Sequence, residues 1–168
     1  MTDFDKKVSI QSFQQCDGSN FSTAGVDFSK KFDKISLGSY LGFGTSYKKG
    51  STGGVFDVKG SVPYGNSPVS GGFRVRNNIT PNSKSVQLRL QPATLTIPLS
   101  DKTNLYSTPY VATKINYKNG SANTSFGNFS GISTKIGKVN MFVEGQLYDL
   151  TKINPSTTSV NLGFSVSF

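Results

Sequence analysis

Val160-Asn161-Leu162-Gly163-Phe164-Ser165-Val166-Ser167-Phe168 ends the chain. Large apolar residues alternate through it with small or polar ones and never slip, which is the period-two signature of a strand with two unlike faces. Val160, Leu162, Phe164, Val166 and Phe168 share one face, and the other carries only Asn, Gly and Ser. The media that these two faces meet decide the class of protein.

The same alternation recurs about eight times upstream. Ile35, Leu37, Leu41, Phe43 and Tyr47 oppose Ser36, Gly38, Tyr40, Gly42 and Gly44; Phe56, Val58, Val62 and Tyr64 oppose Asp57, Lys59 and Ser61. Val69, Phe73 and Val75 oppose Gly72, Arg74 and Arg76, while Val86, Leu88 and Leu90 oppose Gln87, Arg89 and Gln91. Leu105, Val111 and Ile115 oppose Tyr106, Tyr110 and Lys114; Ile132 and Ile136 oppose Ser133 and Lys135; Val139, Met141, Val143 and Leu147 oppose Asn140, Phe142, Glu144 and Gln146. All three arginines and the single glutamate therefore lie opposite the aliphatic face.

A soluble sheet turns its aliphatic face inward and its charges toward water. A membrane barrel inverts this, with aliphatic residues against lipid and a polar, charged interior. Segment length favours the inverted arrangement, because these segments exceed the roughly 5–6 residues of an ordinary strand and reach the roughly 9–11 that a tilted strand needs to cross a bilayer. Connections read as alternately short (Gly65 to Pro68, Ser100 to Asn104, Gly137-Lys138) and long (Lys48 to Gly54, Asn77 to Ser85, Lys118 to Asn123, Thr151 to Thr158), as in barrels with short periplasmic turns and longer outer loops. Phe168 falls at the short-turn end.

On these residues the stretch 34–168 resembles the small eight-stranded outer-membrane barrels of Gram-negative bacteria, the opacity-type and porin-like families. The resemblance implies a closed antiparallel up-and-down barrel of about eight strands in the bacterial outer membrane. It also implies that Val160, Leu162, Phe164, Val166 and Phe168 form a terminal signal read by the insertion machinery. Three features depart from the pattern. The chain opens without an apolar run of signal-peptide length, the Tyr and Phe residues do not group at strand ends as an aromatic girdle would, and the alternation slips at Gln91-Pro92. Leu95, Ile97 and Leu99 follow on the other parity, which a bulge would bring back to the lipid face.

Residues 1–33 read as an N-terminal arm ahead of the barrel domain 34–168, with short strands suggested by Val8 and Ile10 and by Ala24, Val26 and Phe28. The chain carries 18 Lys+Arg against 9 Asp+Glu. The lysines are scattered over turns and the arginines point inward, so a lipid bilayer with its anionic head groups is a better partner than nucleic acid. A protein partner would be met through the arm or the loops. Histidine is absent, which removes the usual general base and metal ligand, and lone Cys16 has no partner for an internal disulfide.

No catalytic, cofactor or metal site is expected. Inside the barrel, Glu144 is expected to pair with Arg74, Arg76 or Arg89, because a buried charge needs a counter-charge. Asp57 reads as lying nearer a strand end, and the final strand is expected to close on residues 35–47. The function that follows is a non-enzymatic outer-membrane-type barrel with a filled lumen and a structural or surface-contact role. The alternative is a soluble structural barrel of a virus particle.

Overall fold

The computed structural model describes residues 4–16, 18, 20–46, 50–80 and 83–168 of the chain. Ten strands run in sequence: β1 (Asp5–Gln15), β2 (Asn20–Phe32), β3 (Ile35–Ser46), β4 (Ser51–Pro63), β5 (Val69–Thr80), β6 (Ser83–Pro98), β7 (Thr103–Asn116), β8 (Ala122–Ile136), β9 (Val139–Leu147) and β10 (Thr158–Ser167). Each pairs antiparallel with its sequence neighbours and β1 pairs with β10, so the sheet closes on itself without an edge. Closure matters because an apolar strand left at an edge would template aggregation. Among the described residues no helix is long and apolar enough to cross a membrane.

The barrel has ten strands, not the eight expected, and the two extra ones are the supposed N-terminal arm. The polar run Gln14 to Asn20 is no break between domains, because β1 extends through Gln15 and β2 begins at Asn20. The expected alternation of Val8 and Ile10 with Ala24, Val26 and Phe28 holds, and the register explains why these strands belong in the sheet. Val8 faces Val26 on β2 and Val166 on β10, while Ile10 faces Ala24 and Phe164. The arm thus supplies the aliphatic face that the last strand needs on its far side. The expected closure of the last strand on residues 35–47 is accordingly corrected, because β3 pairs instead with β2 and β4. Tyr47, Lys48 and Lys49 lie outside the described residues.

Inversion of the two faces is plain in the burial. Among the described residues, every buried non-glycine side chain points into the lumen: Tyr40, Val55, Tyr110 and Ala112 with Ser9, Thr23, Asp57, Ser85, Arg89, Thr108, Gln146, Ser159 and Asn161. Leu41, Leu88, Leu90, Phe126, Val143 and Leu162 are exposed on the outside. The slip at Gln91-Pro92 is a bulge on β6. Leu90 faces Val111 whereas Leu95 faces Ser107, and on the other side Gln91 faces Gly72 whereas Thr94 faces Ser70. One extra residue on β6 returns Leu95 and Ile97 to the outer face.

Connections match the expected lengths only in part. Gly137-Lys138 joins β8 to β9 as a two-residue hairpin in which Gly137 takes a φ of 59°, a conformation that costs a side-chain-bearing residue far more. The stretch Asn77 to Ser85, read as a long loop, is mostly strand, because β5 runs to Thr80 and β6 starts at Ser83. The longest connection spans residues 148–157, between β9 and β10.

Most outward aromatics, such as Phe43, Phe56, Phe73 and Phe126, lie within strands rather than at their ends, but four gather at one rim. Phe4, Phe32, Tyr64 and Phe168, all exposed, sit at the rim where β1 and β10 begin and end and β2 and β4 finish. The Lys30 ammonium lies 5.0 Å from the Phe4 ring centroid and 5.1 Å from that of Phe32. This is the amphipathic chemistry of an interfacial belt, with apolar bodies below a cationic group.

Candidate functional site

Ten strands enclose more space than eight, and bulky inward side chains occupy it. Tyr40, Tyr106, Tyr110, Phe129 and Phe142 point inward from β3, β7, β8 and β9, and glycines on the same or neighbouring strands make room for all but Phe129. A Cβ on Gly127 would strike the Tyr110 ring, one on Gly131 the Tyr106 ring, one on Gly163 the Phe142 ring, and one on Gly25 or Gly42 the Tyr40 ring. Tyr40, Tyr106, Tyr110 and Phe142 thus each lie across a bare stretch of backbone, covering a glycine and narrowing the lumen together. Tyr106 and Tyr110 flank Phe129, with ring centroids at 6.3 Å and 6.0 Å.

Charged groups occupy the same interior. Asp57, at the centre of β4 rather than near its end, is 1 % exposed. Arg76, its direct partner on β5, donates from Nε to both Asp57 carboxylate oxygens (3.0 Å and 3.1 Å) and from Nη2 to Oδ2 (2.8 Å). Arg74 donates from Nη2 to the same Oδ2. Asp27 on β2 accepts from the Ser9 hydroxyl at 2.5 Å and lies 3.6 Å from the Lys59 ammonium. The expected network of Glu144 with Arg74, Arg76 and Arg89 is therefore rearranged.

Glu144 makes no ion pair among the described residues. It accepts a hydrogen bond from the Tyr106 hydroxyl at 3.1 Å, and three strands, β6, β7 and β8, separate its strand β9 from the β5 of Arg74 and Arg76. Arg89 also lacks a carboxylate partner among the described residues. Its guanidinium lies 4.1 Å from the Tyr110 ring centroid and 5.8 Å from that of Phe129. Nearby, Gln146 donates to the Tyr110 hydroxyl at 3.1 Å, and that hydroxyl donates to the Leu147 carbonyl at 3.2 Å.

Sequence reasoning placed Arg74, Arg76, Arg89 and Glu144 on the inner face, where they are, but chose the wrong acid as the hub. Parity alone puts Asp57 on the inner face, and the length of β4 makes it central. Asp27 carries the same signal, since it alternates with Val26 and Phe28. Phe13 on β1 turns inward and lies 5.8 Å under the Arg76 guanidinium. Val160, Leu162, Phe164 and Val166 line the outer face of β10 between β9 and β1. The Phe168 amide reaches the Lys6 carbonyl at 3.4 Å.

No protein-family model matches the sequence, and no curated protein matches it. Solved structures do resemble it in shape. The KdgM porin aligns over 96 % of this chain and 99 % of its own, at 12 % identity and a TM-score of 0.55. The same porin in complex with disordered oligogalacturonate gives 0.56 at the same identity. This chain has the fold of an outer-membrane β-barrel. The translocator domain of the autotransporter NalP from Neisseria meningitidis shares that fold at a TM-score of 0.50 and 14 % identity, over 100 % of this chain and 89 % of the domain.

Proposed function

We propose that this chain is a non-enzymatic barrel of the bacterial outer membrane, with an occluded lumen, that works through its surface and loops. The observation that carries this reading is the burial inside the barrel. Strands β1 to β4, β6, β7, β9 and β10 each hold an inward side chain of Ser9, Thr23, Tyr40, Asp57, Arg89, Tyr110, Gln146 or Asn161 that solvent barely reaches. A water-filled channel would leave such residues wet.

The membrane part of the reading rests on the outer face, where exposed aliphatic residues encircle the sheet far beyond the few hundred Å2 of apolar patch usual on a soluble monomer. A soluble particle component would have to cover that whole belt. The lipid bilayer is thus the principal partner, with Lys30 and the rim aromatics at its head-group level. A protein partner would be met at the opposite end, on the connection 148–157, which exposes Leu150 and Ile153. With β1 and β2 built into the wall, the N-terminal segment no longer serves as a docking arm.

Ion conductance tests occlusion. The barrel reconstituted in a planar bilayer should show no sustained conductance steps, and regular open-channel steps would overturn the occluded lumen while leaving the membrane barrel intact. One observation favours a second reading, a narrow anion-preferring pore. Lys7, Lys31, Lys59, Arg74, Arg76, Arg89, Lys114 and Lys135 face inward by register against Asp5, Asp27, Asp57 and Glu144. Steps with anion selectivity in the same experiment would support it.

A further inference from the structure

We propose that the lumen binds a small oxyanion, of the phosphate or carboxylate class, between Arg89 on β6 and Arg74 on β5. Three cations stand in one row across the sheet, because Lys59 faces Arg74 and Arg74 faces Arg89. Like charges directly opposite one another repel, so each needs a counter-charge. Asp27 serves Lys59, and Asp57 serves Arg74 together with Arg76.

Arg89 is left over. It is 7 % exposed, and a guanidinium does not shed its charge in a protein. Its hydrogen bond to Gln87 Oε1 is long at 3.4 Å, and the faces of Tyr110 and Phe129 contribute only their quadrupoles. Its Nε is buried without a hydrogen-bond partner, and so is the Nε of the facing Arg74. Two buried donors on directly opposed arginines, in an interior with excess positive charge, are what an oxyanion satisfies at once. It accepts from both forks and supplies the charge that Asp57 cannot share further. A neutral water would fill the hydrogen bonds and leave Arg89 with only the distant charge of Glu144.

The site is independent of conduction, so an open or a closed lumen leaves it standing. Inorganic phosphate is the probe, added to the folded barrel in detergent, with sodium chloride at equal ionic strength as the reference. The unfolding midpoint should rise with the logarithm of phosphate concentration once the site begins to fill, as for any ligand that binds only the native state, and chloride should produce much less. Arg89→Gln should abolish the difference between the two salts, and Lys102→Gln, in the exposed β6–β7 turn, should keep it.

Should Arg89→Gln fail to fold, phosphorus NMR of the unaltered barrel decides. Concentration-dependent broadening of the phosphate line, reversed by excess sulfate, supports the site. An equal response to phosphate and chloride, a phosphate response surviving in Arg89→Gln, or an unbroadened line overturns it.

Discussion

Replacing Asp57 by Asn removes the one acid that holds two arginines. In the native barrel Asp57 is 1 % exposed and the side chains of Arg74 and Arg76 are 25 % and 16 % exposed, so all three groups are largely out of water. Breaking a buried pair by neutralising one partner leaves an uncompensated charge, at a cost of about 3–5 kcal/mol. Residual access of water to the arginines puts this case at the lower end. With a urea dependence of about 2 kcal/mol per molar, a loss of about 3 kcal/mol lowers the unfolding midpoint by roughly 1.5 M. Glu144→Gln is the matched comparison. Gln still offers an oxygen to the Tyr106 hydroxyl, so the loss is that of a weakened hydrogen bond, about 1 kcal/mol. Both variants are read from urea titrations of the refolded barrel, following tyrosine fluorescence and electrophoretic mobility without heating. The double variant Asp57→Asn with Arg76→Gln should regain part of the loss, since one stranded charge goes with it. A Glu144→Gln midpoint as low as or lower than that of Asp57→Asn would refute the assignment of Asp57 as the hub.

Three other outcomes follow from the geometry. Gly127→Ala should destabilise by about 1–3 kcal/mol through overpacking, because its Cβ would meet the Tyr110 ring and the Leu147 carbonyl; Gly145→Ala, whose nearest contact is the Ser130 carbonyl at 3.9 Å, should be close to neutral in the same unfolding assay. Deleting Phe168 should reduce the assembled fraction in cells while leaving refolding in detergent nearly intact, and equal assembly in cells would dismiss the terminal signal. In the connection 148–157, Asp149 accepts from the Thr151 amide at 2.9 Å and hydroxyl at 2.6 Å, which hold its carboxyl below the ordinary aspartate range. A lowered acid contributes stability above its unfolded pKa and loses it as pH falls through the lowered value. Amide exchange at Thr151, corrected for its intrinsic pH dependence, should therefore lose protection only on strong acidification, and Asp149→Asn should flatten that profile.

The inverted sheet was legible because parity is a local property. Arg74, Arg76, Arg89 and Glu144 each sit one residue from an aliphatic neighbour, and no tertiary information is needed to place them opposite Phe73, Val75, Leu88 and Val143. Even the β6 bulge announced itself as a change of parity between Leu90 and Leu95. Strand count was less legible, because β1 and β2 carry fewer large apolar residues. Ala24 and Ser22 weaken the outer face of β2, and only the neighbouring Ile10 and Phe43 complete it. The ion-pair partners were not legible at all. Which acid meets Arg76 depends on which residue the register sets opposite it, and that choice between Asp57 and Glu144 is made by strand order rather than by pattern. The rim of Phe4, Phe32, Tyr64 and Phe168 was hidden for the same reason, since these residues are far apart in sequence and come together only when the barrel closes.

The central claim is that the aliphatic face meets lipid and the charged face does not. Nitroxide labels at Leu41, Val143 and Leu162, introduced singly as cysteines in a Cys16→Ser background and reconstituted in vesicles, test it directly by collision with quenchers. The account predicts strong relaxation by oxygen, which partitions into hydrocarbon, and weak relaxation by a water-soluble nickel chelate at all three positions. Strong relaxation by the chelate with little effect of oxygen would place these residues in water and contradict the membrane barrel.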